Sequence, residues 1–205
     1  MSIIKTKFFE YGDAETNVLK KADPVLGEAI TRLGKVDRAT MPDLFHALVY
    51  AVVGQLISAK TAQSSWERMQ IRFGSMDPRT IVKQTPEQIQ ACGLTMKKAV
   101  CIHQIATKIE SGELDLDELI YMPDHEVIHR LTSLNGIGKW TAEMLLFHAL
   151  ERPDVMSWGD IAIRRGMMKL YGLDSITKKQ FDQYREHYSP YGSVASIYLW
   201  EISFE

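Results

Sequence analysis

Cysteine is nearly absent from this chain, with Cys92 and Cys101 its two examples in 205 residues. They form no metal-ligand cluster and no disulfide framework, so a reduced cytosolic protein is the simple expectation. Long apolar runs are also missing. The longest, around Ala47 to Ile57, is broken by Gly54 and Gln55 and is too short to cross a bilayer. Met1 to Gly12 carries Lys5 and Lys7 but no apolar stretch of signal-peptide length. There is no excess of basic residues: the formal charge is -2 and the pI near 6.3, short of the basic profile of many nucleic-acid binders. Sustained apolar/polar alternation is absent, which leaves Ile3 to Tyr11 as the best place for any strand. Neither low-complexity tracts nor a 20–50-residue repeat occur.

What is present suits a soluble helical protein. At 45% hydrophobic and 24% charged residues the chain can bury a real core, as one compact unit or as two lobes sharing a cleft. Charge is unevenly spread. Glu110 to Glu126 holds seven acidic residues and no Lys or Arg, whereas Val127 to Lys179 holds eight basic against five acidic, a balance of +3. Helix starts are marked at Asp23-Pro24, a cap followed by a first-turn proline, and at Met41-Pro42-Asp43, Asp77-Pro78, Thr85-Pro86-Glu87 and Met122-Pro123-Asp124, each of which opens a helix. The segment opened at Pro42 runs to Gly74 with a break expected near Gly54 to Ser58. Thr95 caps a helix in which Ala99, Ile102, Ile105, Ala106 and Ile109 recur at three- and four-residue spacing. Further helices are expected over about Lys139–Leu150, Asp160–Tyr171, Thr177–His187 and Pro190–Ile202. The fold class is therefore all-α, with two helical lobes flanking a cleft. Lobe one covers approximately 35–130, and lobe two approximately 131–205 plus the N-terminal segment.

The passage Leu134-Asn135-Gly136-Ile137-Gly138-Lys139-Trp140-Thr141-Ala142 carries the first functional signal. Two glycines two apart allow a tight turn and leave nothing in the way of a close ligand. A helix begins directly after them, so its free N–H groups point outward together, a ready phosphate site that reads no base sequence. Gly136, Gly138, Lys139 and Thr141 are the candidate phosphate-backbone contacts. Backbone donors do not enter a charge count, which softens the objection from the pI. Cys92-Gly93-Leu94-Thr95-Met96-Lys97-Lys98-Ala99 loosely echoes the same pattern.

Further on, Arg152 to Gly159 leads to Asp160 and a helix start at Ile161-Ala162-Ile163. An Asp there is by default an N-cap, and the helix terminus favours its anion. The hairpin, the loop and the 20 residues between Trp140 and Asp160 together resemble the 3-methyladenine DNA glycosylase II family, the alkylation-repair branch of the helix-hairpin-helix glycosylases. The similarity extends from about Pro42 to Trp200. It implies a base-excision-repair enzyme acting on double-stranded DNA that contains alkylated purines such as 3-methyladenine and 7-methylguanine. Asp160 is then the catalytic carboxylate. Breaking an N-glycosidic bond builds positive charge on the sugar, which a fixed anion stabilises while helping to orient or deprotonate water.

The resemblance also distributes the remaining roles. A flipped cationic purine is attracted to an indole face, and Trp140 and Trp200 are the implied pocket tryptophans. Met144, one turn after Trp140, stands where a relative has an aromatic ring, so the pocket wall is softer. Val53 to Lys60 resembles the stretch whose leucine enters DNA, making Leu56 the wedge and placing Gln55 near the opposite strand. Main-chain carbonyls of Thr132, Leu134 and Ile137 are implied to hold a monovalent cation, Na+ or K+, against the phosphate; no other cofactor is expected. Bifunctional members carry a Schiff-base lysine where this chain has Trp140, and an indole cannot form one. Two cysteines cannot supply four iron–sulfur ligands. The long N-terminal sheet domain of larger bacterial members is not seen, so a more open pocket is expected. Trp66 and Trp158 read as structural. The expected protein is a monomer without membrane contact, cytoplasmic, nucleoid-associated in a bacterium or nuclear in a eukaryote. A non-catalytic helix-hairpin-helix DNA-binding module, an oxidised-guanine glycosylase with lyase activity and a helical scaffold unrelated to DNA remain the alternatives.

Overall fold

A computed structural model describes residues 7–205 of the chain. Among the described residues there are twelve α-helices: α1 (Asp13–Ala22), α2 (Pro24–Leu33), α3 (Leu44–Gly54), α4 (Ala59–Phe73), α5 (Pro78–Val82), α6 (Pro86–Gln90), α7 (Met96–Glu110), α8 (Asp124–Thr132), α9 (Lys139–His148), α10 (Ile161–Tyr171), α11 (Lys178–Tyr188) and α12 (Gly192–Ile202). A 3-10 turn covers Asp117–Tyr121. The all-α expectation holds. Of the strand expected over Ile3 to Tyr11, residues 3–6 lie outside the described residues. The remainder makes one isolated antiparallel bridge, Phe8 to Ala39, flanked by Phe9 N–H to Arg38 O and Thr40 N–H to Lys7 O.

The helix starts follow the capping chemistry written in the sequence. Asp23, Asp43, Ser58, Asp77, Thr85, Thr95, Asp160 and Thr177 each accept backbone N–H groups of the helix that follows. α1 escapes the apolar-periodicity reading because its residues are mostly polar. Its signals are electrostatic instead: Asp13 and Glu15 in the first turn, Lys20 and Lys21 in the last, and Glu15 accepting from the Gly12 N–H at 2.8 Å.

The chain divides into two compact units. The first joins the described part of Met1–Thr40 to Glu151–Glu205, and the second is Met41–Leu150. This boundary departs from the expected division near residue 130, which had placed the hairpin in the other lobe. The reason is packing: α9 lies against α3 as well as α8, and it buries Leu145, Leu146 and Phe147.

In the first unit α12 is the central element, with every residue from Gly192 to Trp200 buried. α10, α11, α1 and α2 pack on it. Gly166 of α10 is what allows the closest of these approaches. A methyl there would lie 2.7 Å from the carbonyl carbon of Leu199. In the second unit α3 plays the corresponding part, burying Leu44, Phe45, Ala47, Leu48, Val49, Ala51, Val52 and Val53 against α4, α7 and α9.

Candidate active site

Asp160 ends a loop that is sewn to α12. Within that loop, the Val155 N–H donates to Ser193 Oγ at 2.9 Å, and Ser193 Oγ donates to Arg152 O at 2.5 Å. Ser196 Oγ donates to Val155 O at 2.9 Å. The Asp154 carboxylate accepts from Ser189 Oγ at 2.7 Å and from the Gly192 N–H at 3.0 Å, so it serves the start of α12. Asp160 is thus delivered on a fixed backbone. Its Oδ1 accepts from Ala162 and Ile163 N–H at 2.9 and 3.0 Å, and the residue is 8% exposed. A carboxylate oriented by two backbone donors at a helix N-terminus is a preorganised anion, the group needed opposite a developing sugar cation.

Trp200 lies on α12 in the same unit and is buried. The guanidinium of Arg38 sits 4.3 Å from its ring centroid, so one indole face already holds a cation within the first unit. Trp158 packs edge-on to Phe181 at 5.3 Å, and Trp66, buried, packs edge-on to His46 and Tyr50. Trp66 is a core residue, whereas Trp158 is half-buried, with the Arg164 guanidinium 4.7 Å from its ring centroid.

In the second unit the hairpin turn and the turn after α3 meet. Gly136 has φ +85°, and a methyl on it would come within 2.9 Å of Cys101 Sγ. Glycine is needed there twice over. Gly138 differs: its φ of -92° suits any residue, and nothing lies within 4 Å of where its methyl would be. It opens α9 with no side-chain cap and no acidic residue in the first turn. Such a terminus is disposed to accept an anion from outside. Trp140 is half-buried, its ring edge against the Gly54 side of α3.

Leu56 stands out from this unit. It is 96% exposed and has φ +56°, the left-handed region that costs an ordinary side chain about 1–2 kcal/mol. Folding alone gains nothing from a leucine so placed. Beside it, Gln55 Nε2 donates to Gly136 O at 3.0 Å and to Thr141 Oγ1 at 2.9 Å. Lys98 Nζ donates to Val53 O at 2.9 Å and Gln55 O at 2.7 Å. Burial pushes the Lys98 ammonium below the usual lysine range.

The second unit therefore combines a helix-hairpin-helix, an uncapped helix terminus and a projecting leucine, and the first holds an anchored Asp at a helix start. Residues 49–190 match the model of the HhH-GPD superfamily base excision DNA repair proteins. DNA-3-methyladenine glycosylase 1 of Schizosaccharomyces pombe is 32% identical over 164 residues, 78% of this chain and 72% of that protein. The chain belongs to the 3-methyladenine DNA glycosylases of this superfamily. Solved structures agree. A DNA-3-methyladenine glycosidase from Bacillus halodurans superposes with a TM-score of 0.80 at 32% identity, covering 96% of this chain and 92% of its own. The Schizosaccharomyces pombe enzyme in complex with abasic DNA superposes with a TM-score of 0.81 at 28% identity, covering 92% and 95%.

The geometry of the glycosylase gives several of the expected site residues partners within the protein. Gln55, expected near the opposite DNA strand, has its amide tied to the hairpin. Thr141 was expected at the phosphate; the whole residue is 2% exposed, and its hydroxyl oxygen accepts from Gln55 Nε2. Lys139 is exposed and 3.7 Å from Glu143, whose side chain is 12% exposed, and its charge lies near the α9 start. Met144 is buried on α9. The carbonyls of Thr132, Leu134 and Ile137 all lie in the hairpin segment, with Leu134 O accepting one weak turn bond from the Ile137 N–H at 3.2 Å. Neutral carbonyl oxygens with lone pairs to spare are a donor set suited to a hard cation.

Asp154, Ser193, Ser196 and Lys98 had no assigned role in the sequence reading. Lys98 had left one signal: Lys97 and Lys98 place two cations in the first turn of α7, against its dipole.

Proposed function

We propose that this protein hydrolyses the N-glycosidic bond of alkylated purines, 3-methyladenine and 7-methylguanine among them, in duplex DNA after flipping the base. The hairpin and the α9 terminus grip phosphate through Gly136, Gly138 and neighbouring N–H groups, with Lys139 adding charge. Leu56 enters the space the base vacates. Trp140 and Trp200 are the rings offered to the extruded cationic base, and Met144 is a pliable wall. Asp160 stabilises the oxocarbenium-like sugar and directs water to its anomeric carbon, while the base leaves with the bonding electrons as a neutral purine. A methylated purine already carries the positive charge that makes it depart, so one carboxylate suffices. A monovalent cation on the Thr132, Leu134 and Ile137 carbonyls would supply positive charge to a bound phosphate. The protein acts as a monomer, in the compartment that holds DNA.

The observation that carries this reading is Leu56, an apolar side chain held almost fully exposed in a disfavoured conformation, in a chain of this family. A wedge into a base stack explains both features. Base release from duplex DNA containing 7-methylguanine tests it. Wild type should release the base, and Asp160→Asn should lower the rate about 10²–10⁴-fold while still binding DNA. A rate unchanged by that substitution would sink the assignment. Absence of release by both proteins across several alkylated purines would favour a DNA-binding module instead. Borohydride should trap no covalent lysine adduct.

A further inference from the structure

Leu56 cannot hold its place unaided. α3 ends at Gly54, where the last carbonyls of a helix lose their intrahelical partners. The turn closes on weak backbone bonds, Gln55 N–H to Val52 O at 3.3 Å and Ile57 N–H to Gly54 O at 3.4 Å. A leucine in left-handed conformation on such a turn would relax to an extended or helical backbone unless its neighbours over-determine it. Two side chains do so. Gln55 is fastened to the hairpin, and Lys98 reaches across from α7 to the carbonyls of Val53 and Gln55, the residues preceding Gly54 and Leu56.

Lys98 is a costly residue to use for this. It sits in the first turn of its helix, where a cation opposes the dipole, and it is partly desolvated. Among the described residues it makes no ion pair; its partners are the two carbonyls. The neighbouring Lys97 is exposed. The Lys98 ammonium is aimed at the C-terminal end of α3, where a cation is favoured and where three donors can satisfy more than one carbonyl.

We propose that Lys98 is a positioning residue for the DNA wedge, holding the Gly54–Ile57 turn so that Leu56 stands ready to enter the duplex. The inference rests on the reading of Leu56 as wedge, and the experiment separates the two. A duplex carrying 2-aminopurine beside a 7-methylguanine reports unstacking by fluorescence, and single-turnover release is measured from that duplex and from the lesion strand alone. Leu56→Ala should lower unstacking and duplex excision by about tenfold or more and leave single-strand excision within about twofold. Lys98→Met should show the same split, with a loss of about tenfold on duplex only, and Lys98→Arg should restore most of it. The Lys98→Met, Leu56→Ala double variant should be no worse than Leu56→Ala alone, because both remove one device. Affinity for undamaged duplex should hold steady in Lys98→Met, whereas a phosphate-binding lysine would lose affinity and flatten its salt dependence. Should Lys98→Met not fold, Lys98→Gln retains a donor and takes its place, with a smaller duplex-specific loss expected.

Duplex excision by Lys98→Met equal to wild type, an equal loss on both substrates, or multiplicative losses in the double variant would overturn the proposal. If Leu56→Ala itself unstacks the duplex like wild type, the wedge reading fails first and the role of Lys98 falls with it.

Discussion

The two glycines of the hairpin should fail in opposite ways when each is changed to alanine. At Gly138 the added methyl enters open space and the backbone, at φ -92°, tolerates it. Alanine is a poorer N-cap than glycine but restricts the unfolded chain, and two opposing terms of about 0.5–1 kcal/mol leave stability nearly unchanged. The methyl stands just ahead of the α9 N–H groups, where a phosphate oxygen would approach. An anion at a helix terminus is worth about 1–2 kcal/mol in a favourable site, so losing it should weaken duplex binding by about 5- to 30-fold. At Gly136 alanine meets φ +85° and Cys101 Sγ at 2.9 Å, so the fold suffers first, by about 1–3 kcal/mol. Melting temperature and duplex Kd, measured at one fixed salt concentration, distinguish them. Gly138→Ala should keep its Tm and lose affinity, while Gly136→Ala should lose Tm. Gly138→Ala with both Tm and Kd unchanged would refute the idea that this terminus receives a phosphate.

Two further outcomes follow from packing and burial. Gly166→Ala puts a methyl into the backbone of Leu199 and forces α10 from α12; about 3 kcal/mol or more should be lost, lowering Tm by about 6–12 °C in thermal unfolding. The Cys101 thiol, raised by burial to about 11, should resist alkylation in the native state at pH 8 and react promptly in denaturant. Because its folded value lies above the ordinary one, the stability tied to its protonated form is intact below about pH 9 and declines as pH approaches 11. Denaturant midpoints of wild type and Cys101→Ala should therefore converge differently across that window than below it.

Much of this architecture was legible because it is written locally. Proline at a helix start, a capping Asp or Thr and a glycine pair act within a few residues, and these marked most helix starts, the hairpin and the Asp160 turn. The pieces that escaped depend on partners far along the chain. Ser193 and Ser196 look like small residues on an apolar helix until they meet Arg152 and Val155, about 40 positions earlier. The bond from Gln55 to Thr141 was not legible, because nothing near Gln55 in sequence announces a partner 86 positions away. The lobe boundary failed for the same reason: α9 follows α8 in the chain, yet its burial is shared with α3. Leu56 was legible as an apolar residue at a helix break, whereas its exposure and its left-handed backbone were visible only in three dimensions.

The division of the chain into units has a bearing on synthesis. Met41–Leu150 is contiguous, so every element of that unit has left the ribosome once residue 150 has emerged. The other unit is assembled from both flanks of that segment, and its centre, α12, is made after the four helices that pack on it. The apolar faces of α1 and α2 must wait through more than a hundred residues of elongation before their partner arrives. A nascent chain that has not yet reached Gly192 already contains the hairpin and the Leu56 turn, while the Asp160 loop has no α12 to be fastened to.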